Sequence, residues 1–276
     1  MSATPPDDAT HRVSAARNGR LLTITLDRPN ANNAMDDVAG RALAACAREA
    51  TGPDVGAVLL RASGRNFSVG GDLRSFAQGA DGLDGMPERV RTTVEAAHEA
   101  ILALADLDIP VVSALQGWVA GIGISLGCCA DVVIAGESTQ FRSAYTGIGF
   151  TPDGGLTWLL PRLVGPARAA DFVLSNRALT ATEALAWGLV TRVVPDSDLD
   201  WTAEELAQSL ADGPAHAQAK ALRLLRRERR EDLVRALTAE AESVIAQSAS
   251  SEGREGVAAF FAKRPPNFHS SVAADF

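Results

Sequence analysis

The chain is poor in the residues on which disulfide-stapled, metal-binding and nucleic-acid-binding proteins depend. Its 276 residues include three cysteines (Cys46, Cys128, Cys129) and four widely spread histidines. No Cys-x-x-Cys pair occurs, so neither a disulfide framework nor a metal site is expected, and the thiol usage fits a reducing cytoplasm. Positive charge is also in deficit. The 26 Lys and Arg against 34 Asp and Glu leave a net charge of −8, which argues against nonspecific nucleic-acid binding. No apolar run approaches the roughly 20 residues of a membrane-spanning helix, so no membrane partner is expected. Residues 1–10 are polar, with two prolines and two aspartates. They read as a flexible tail ending near residue 12 rather than a signal peptide. One absence is local: no Asp, Glu, His or Lys stands between positions 116 and 130.

What fills that gap is a glycine-rich turn. Gly117, Gly121 and Gly123 follow a short apolar run over 110–115 and precede a predicted helix running toward Cys128, Cys129, Ala130 and Asp131. Such a turn lets a ligand approach the backbone and aims free N–H groups at it, either at a phosphate or at an oxygen that becomes negative during a reaction. A second turn of this kind lies upstream: Phe67-Ser68-Val69-Gly70-Gly71-Asp72-Leu73. Two N–H groups from separate turns, converging on one oxygen, form an oxyanion hole. Losing one such donor costs about 3–4 kcal/mol of barrier.

The hydrophobic content of 46% supports one substantial core. Alternation over 21–26 predicts a half-buried strand; buried strands are predicted over 56–61, 110–115, 131–135 and 189–194. Helices are predicted over 36–50, 87–106 and 162–174. Thr180 and Glu183 read as a capping box, with Gly188 as the stop. The glycines of 81–86 suggest a mobile surface loop. After Pro195 the pattern turns helical, over 201–211, 215–229, 231–247 and 252–263. The expected organisation is a tail (1–12), an α/β core of repeated β-β-α units (13–195) and a helical region (196–276).

The ordered set of short motifs resembles the crotonase superfamily, the enoyl-CoA hydratase/isomerase family. The matching pieces are Ile24-Thr25-Leu26-Asp27-Arg28-Pro29 with Asn33-Ala34-Met35, the turn 67–73, Pro110-Val111-Val112 with Gln116-Gly117, and Ala130-Asp131. Further along they are Leu160-Pro161-Arg162-Leu163-Val164-Gly165, Ala184 with Trp187-Gly188-Leu189-Val190, and Phe260-Phe261-Ala262-Lys263-Arg264. The resemblance implies a crotonase-like spiral with a C-terminal helical trimerisation region, a homotrimer or hexamer, and an acyl-CoA thioester as substrate. Coenzyme A enters as part of that substrate, and no other cofactor is implied. The oxyanion donors fall at the Gly71 and Ile122 N–H groups. Relatives commonly carry glycine at the second place; the β-branched Ile122 would narrow the pocket and disfavour a positive φ. Asn30, Ala31, Ala34, Asp72 and Leu73 match the loops lining coenzyme A, although 30–33 also reads as an ordinary polar turn. Lys263 and Arg264 match a phosphate-reaching basic pair, or else a solvated helix end.

The two hydratase glutamates fall at Ser125 and Tyr145, so classical hydration is not expected. Asp153 is the remaining acid/base candidate. Its surroundings, Pro152-Asp153-Gly154-Gly155 through Thr157-Trp158-Leu159-Leu160-Pro161-Arg162, resemble the phenylacetate-pathway epoxide-to-oxepin isomerases. The same position holds the nucleophilic aspartate of 4-chlorobenzoyl-CoA dehalogenases. A helix N-cap is the plain alternative. His98 falls where those dehalogenases carry a water-activating histidine, or is a buried helix residue. Tyr145 falls where they have an aromatic beside the aryl ring. Trp118 and Phe150 are pocket or core aromatics, and Asp131 is a strand-start contact. The expectation is an acyl-CoA isomerase using Asp153. An aryl-CoA dehalogenase or hydrolase using Asp153 and His98, or a catalytically silent CoA-ester binder, remain open.

Overall fold

Two antiparallel strands, β1 (Val13–Asn18) and β2 (Leu21–Leu26), begin the part of the chain that the computed structural model describes, residues 12–227 and 229–269. The expected tail lies outside the described residues up to position 11. β1 has one buried residue, Val13, and holds its place through the ladder to β2 rather than through apolar periodicity. That is why the alternation signal did not reach it.

The chain then alternates strands and helices: α1 (Asp37–Glu49), β3 (Ala57–Ala62), α2 (Leu73–Ala77), α3 (Met86–Ala105), β4 (Val111–Leu115), β5 (Trp118–Ala120), α4 (Ile122–Cys128), β6 (Val132–Gly136) and β7 (Gln140–Arg142). There follow α5 (Leu156–Val164), α6 (Pro166–Ser175), β8 (Leu179–Thr180), α7 (Ala181–Trp187) and β9 (Arg192–Val194). The helices α8 (Leu199–Ala211), α9 (Ala215–Leu225), α10 (Arg229–Ala249) and α11 (Ser251–Phe261) close the chain.

The main sheet runs β1-β2-β3-β4-β6-β9, parallel from β2 onward, and a small second sheet runs β5-β7-β8. Parallel strands covered on both faces need continuous apolar runs, and β3 and β4 supply them. One face meets α8, whose Leu199, Ala203, Ala207 and Ala211 recur every fourth residue and pack on Leu21, Leu59, Val112 and Ile134. The other face carries the main core, with α1, α3, α4 and α5. Helices α1 and α3 approach so closely at Gly40 that a Cβ there would lie 2.8 Å from the Ala96 carbonyl carbon.

The helix expected over 162–174 is two helices. Gly165 (φ +84°) breaks it and Pro166 restarts it at a first-turn position where the missing N–H costs nothing. The start of α5 at Leu156 lies six residues earlier than the sequence pattern suggested. The capping box of α7 is present as read, with Gly188 left-handed at its end. The segment 81–86 is organised around Arg89, which donates to the Phe76 carbonyl at 2.9 Å and to the Gly82 carbonyl.

Candidate functional site

The loops that follow β2 and β3 meet the start of β5, and buried asparagines tie them together. Asn33 donates to the Ser63 carbonyl at 2.9 Å and to the Asn66 carbonyl at 2.8 Å. Asn66 in turn donates to Asn32 Oδ1 and accepts the Trp118 N–H, both at 2.9 Å. Asn32 and Asn33 both sit at φ 52°, a left-handed conformation that asparagine tolerates. In the sequence, 30–33 reads as coenzyme A lining or as a polar turn, and nothing local marks Asn66.

The two glycine turns are in backbone contact. A Cβ on Gly121 would lie 3.2 Å from Gly70 Cα, and one on Gly70 would lie 3.3 Å from the Ala120 carbonyl oxygen. The positive φ expected to trouble Ile122 falls instead on Gly121 (φ 53°, ψ −131°), which ends β5 and caps α4. Ile122 is the first helical residue and needs no unusual backbone. Neither the Gly71 N–H nor the Ile122 N–H has a hydrogen-bond partner among the described residues. Both residues line one cleft of about 840 Å³.

Of the sequence-predicted residues, Asn30, Ala31, Ala34, Gly71, Asp72, Leu73, Ile122, Tyr145 and Asp153 line this same cleft. The Asp72 carboxylate is already engaged: it caps α2 at the Arg74 N–H (3.0 Å) and pairs with Arg28 at 2.7 Å. Phe76 and Phe150 stack at 6.4 Å along the cleft, and Thr93, Val94 and Ala97 of α3 form another part of its wall.

Asp153 is buried at 8% exposure. Its side chain does not cap α5, whose N-cap is Gly155. Instead it accepts a hydrogen bond from the Tyr145 hydroxyl. Burial pushes the Asp153 carboxyl up to about 7, with the Tyr145 hydrogen bond opposing and the charge of Glu240 adding to the rise. Burial raises the Tyr145 phenol as well.

His98, Trp118 and Lys263 lie outside the residues that line the cleft. His98 is on α3, at 9% exposure, behind the Asp153 turn, and its Nε2 accepts the Gly154 N–H at 3.2 Å. Burial lowers its pKa to about 4, so the ring is neutral at pH 7. The Trp118 ring faces the Arg142 guanidinium at 5.4 Å. Lys263 is exposed after α11, and its neighbour Arg264 pairs with Glu255 at 2.6 Å rather than with the cleft. Ser125, at one hydratase position, is buried in α4 with no partner for its hydroxyl among the described residues. Asp131 takes the Val111 N–H at 2.9 Å, the strand-start contact expected of it, and also binds Arg226 at 2.6 Å.

Glu240 had no sequence signal. It is one acidic residue on a polar helix, yet it is 4% exposed and reaches the start of α5.

A spiral of parallel strands with glycine-turn N–H groups facing a cleft defines a protein of the crotonase fold. The family description Enoyl-CoA hydratase/isomerase matches residues 16–271, and the chain belongs to that family. It is 39% identical over 249 residues to a probable enoyl-CoA hydratase of Rhodobacter capsulatus, covering 90% of this chain and 94% of that one. It is 34% identical over 249 residues to the 1,2-epoxyphenylacetyl-CoA isomerase of Escherichia coli K12, with the same coverage of 90% and 94%. Among solved structures, an enoyl-CoA hydratase/isomerase from Pseudoalteromonas atlantica superposes with a TM-score of 0.83 at 31% identity, over 93% of this chain and 99% of that one.

Proposed function

We propose that this protein is an acyl-CoA isomerase in which Asp153 moves a proton between two carbons of the acyl group. The observation that carries the reading is the placement of the Asp153 carboxyl, raised to about 7, in the same cleft as the unpartnered Gly71 and Ile122 N–H groups. The thioester carbonyl would accept hydrogen bonds from those two N–H groups. Asp153, ionised, would take a proton from a carbon conjugated to the thioester, and the electron pair would move onto the carbonyl oxygen as an enolate. Return of the proton to another carbon restores the carbonyl and the carboxylate, so nothing is consumed. A carboxyl near 7 suits both halves of that cycle at neutral pH. The similarity to an isomerase that also acts on a CoA ester supports this reading, and Ser125 and Tyr145 leave no carboxylate at the hydratase positions.

The hydrolytic reading needs His98 to direct water. Its Nε2 lone pair is committed to the Gly154 N–H, and its ring lies outside the cleft lining, which weighs against it. Asp153→Asn should lower turnover by about 10²–10⁴-fold, measured on 2-enoyl, 3-enoyl and aryl-acetyl CoA esters, while calorimetric binding of the same esters persists. Wild-type kcat/KM should rise to a plateau above about pH 7, the pH at which Asp153 ionises. Near-normal turnover by the variant would remove Asp153 from the reaction. Binding without turnover by the wild type would leave a CoA-ester binder.

A further inference from the structure

The turn that carries Asp153 is held from outside. Gly154 and Gly155 stand at φ +70° and +79° and have no side chains with which to fix themselves. The Gly154 N–H is taken by His98 Nε2 of α3 at 3.2 Å. The Gly155 N–H is taken by Glu240 Oε2 of α10 at 2.5 Å, and the Thr157 N–H by Glu240 Oε1 at 2.8 Å. The Thr157 hydroxyl donates to that same Oε1. Two helices distant in sequence thus occupy three backbone donors that follow Asp153.

These donors belong to the start of α5, whose N-cap residue, Gly155, has no side chain to accept them. Glu240 and His98 accept them instead. The Asp153 carboxyl turns to Tyr145 and the cleft. Two groups act on it: the Tyr145 hydroxyl from the segment before α5, through a hydrogen bond, and Glu240 of α10, through its charge, while the neutral His98 of α3 reaches the neighbouring Gly154 N–H. From α4, the Ile122 side chain brings only carbon, packing against Gly154.

We propose, building on the acid/base reading of Asp153, that Glu240 and His98 are positioning residues that clamp the turn after Asp153 and so hold its carboxyl toward Tyr145 and the cleft. The Glu240 charge has a second effect. It opposes ionisation of Asp153, adding to the rise that burial produces.

The test is the titration of the Asp153 carboxyl by ¹³C NMR of aspartate-labelled full-length protein, the signal being identified by its loss in Asp153→Asn. The wild-type midpoint is expected near 7. In Glu240→Gln, which keeps the size of the side chain but not its charge, the midpoint should fall by about one pH unit, and the acidic limb of kcat/KM should move with it. A folded Glu240→Gln protein with an unmoved Asp153 midpoint overturns the proposal. If that variant does not fold, amide exchange in the unmodified protein decides. Slow exchange at Gly154, Gly155 and Thr157 supports the clamp, and exchange as fast as in an exposed turn overturns it. Failure of the underlying reading looks different: Asp153→Asn would retain turnover while the Glu240-dependent midpoint shift remained.

Discussion

Asp153 and His98 are buried neighbours whose protonation responds to folding in opposite senses. The Asp153 carboxyl, ordinarily near 3.8, rises to about 7 in the folded protein, so folding takes up a proton between those values. Its contribution is fully present below pH 3.8 and is lost as pH rises through 7. His98, ordinarily near 6.5, falls to about 4, so folding releases a proton between those values. Its contribution is present above pH 6.5 and is lost as pH falls through 4. Between pH 4 and 6.5 the two slopes oppose, and each single variant should unmask the other. Asp153→Asn should give stability that rises with pH across that window and exceeds wild type at pH 8. The gap of about three pH units bounds that gain at about 4 kcal/mol. His98→Gln should give stability that falls with pH from 4 to 7. Urea midpoints measured at half-unit steps check both signs, and a flat profile in either variant would contradict these shifts. His98→Gln should also retain turnover within a few-fold, because glutamine can accept the Gly154 N–H. The two residues were legible in the sequence as candidates. Their relation was not, because 55 residues separate them and only the packing of α3 against the turn brings Nε2 to Gly154.

Elements place the backbone donors. The junction of β5 and α4 turns on Gly121, whose φ and ψ an L-residue adopts only under strain, and whose Cα hydrogen faces Gly70 across 3.2 Å for any added Cβ. Gly121→Ala should cost about 1–3 kcal/mol in urea unfolding and lower kcat at least tenfold on the same CoA esters, by pushing the Gly70–Gly71 turn away from Ile122. An unchanged kcat would mean that the two turns need not touch. The glycine spacing made both turns visible in sequence. Assigning the strained position to Gly121 and not Ile122 required the structure, because the residue that bears a positive φ depends on where the helix begins. The short strands β5, β7 and β8 escaped the sequence reading for a related reason. Two or three residues do not make a period, and their pairing is decided by long-range partners.

At the scale of the molecule, α8 covers one face of the main sheet, while α10 packs on α3 and α5 beside the cleft and α11 on the 3-10 turn at 146–148. The helical region after Pro195 therefore completes the site as well as the surface. Leu224 and Leu225 end α9 at 76% and 82% exposure, adjacent and apolar. We propose that they face another copy in the trimer or hexamer that the family resemblance implies. Sedimentation velocity at micromolar protein should show that assembly, and Leu224→Glu with Leu225→Glu should shift it toward monomer. A monomeric wild type would leave the pair without this role. Among the described residues no helix is long and apolar enough to cross a membrane.

The sequence by itself determined the family and the fold class, through the ordered motifs that resemble the enoyl-CoA hydratase/isomerase family, and it marked the two glycine turns and Asp153 as candidates through local requirements: backbone freedom at glycine, and a carboxyl downstream of positions 125 and 145, which lack the hydratase carboxylates. The tertiary structure decided which of those groups share a cleft. It put His98 behind the turn, Trp118 beside Arg142 and Lys263 on the surface. It also brought in Glu240, a residue with nothing local to mark it. A buried carboxylate is recognised by what it is packed against, and the partners of Glu240 lie more than eighty residues away along the chain.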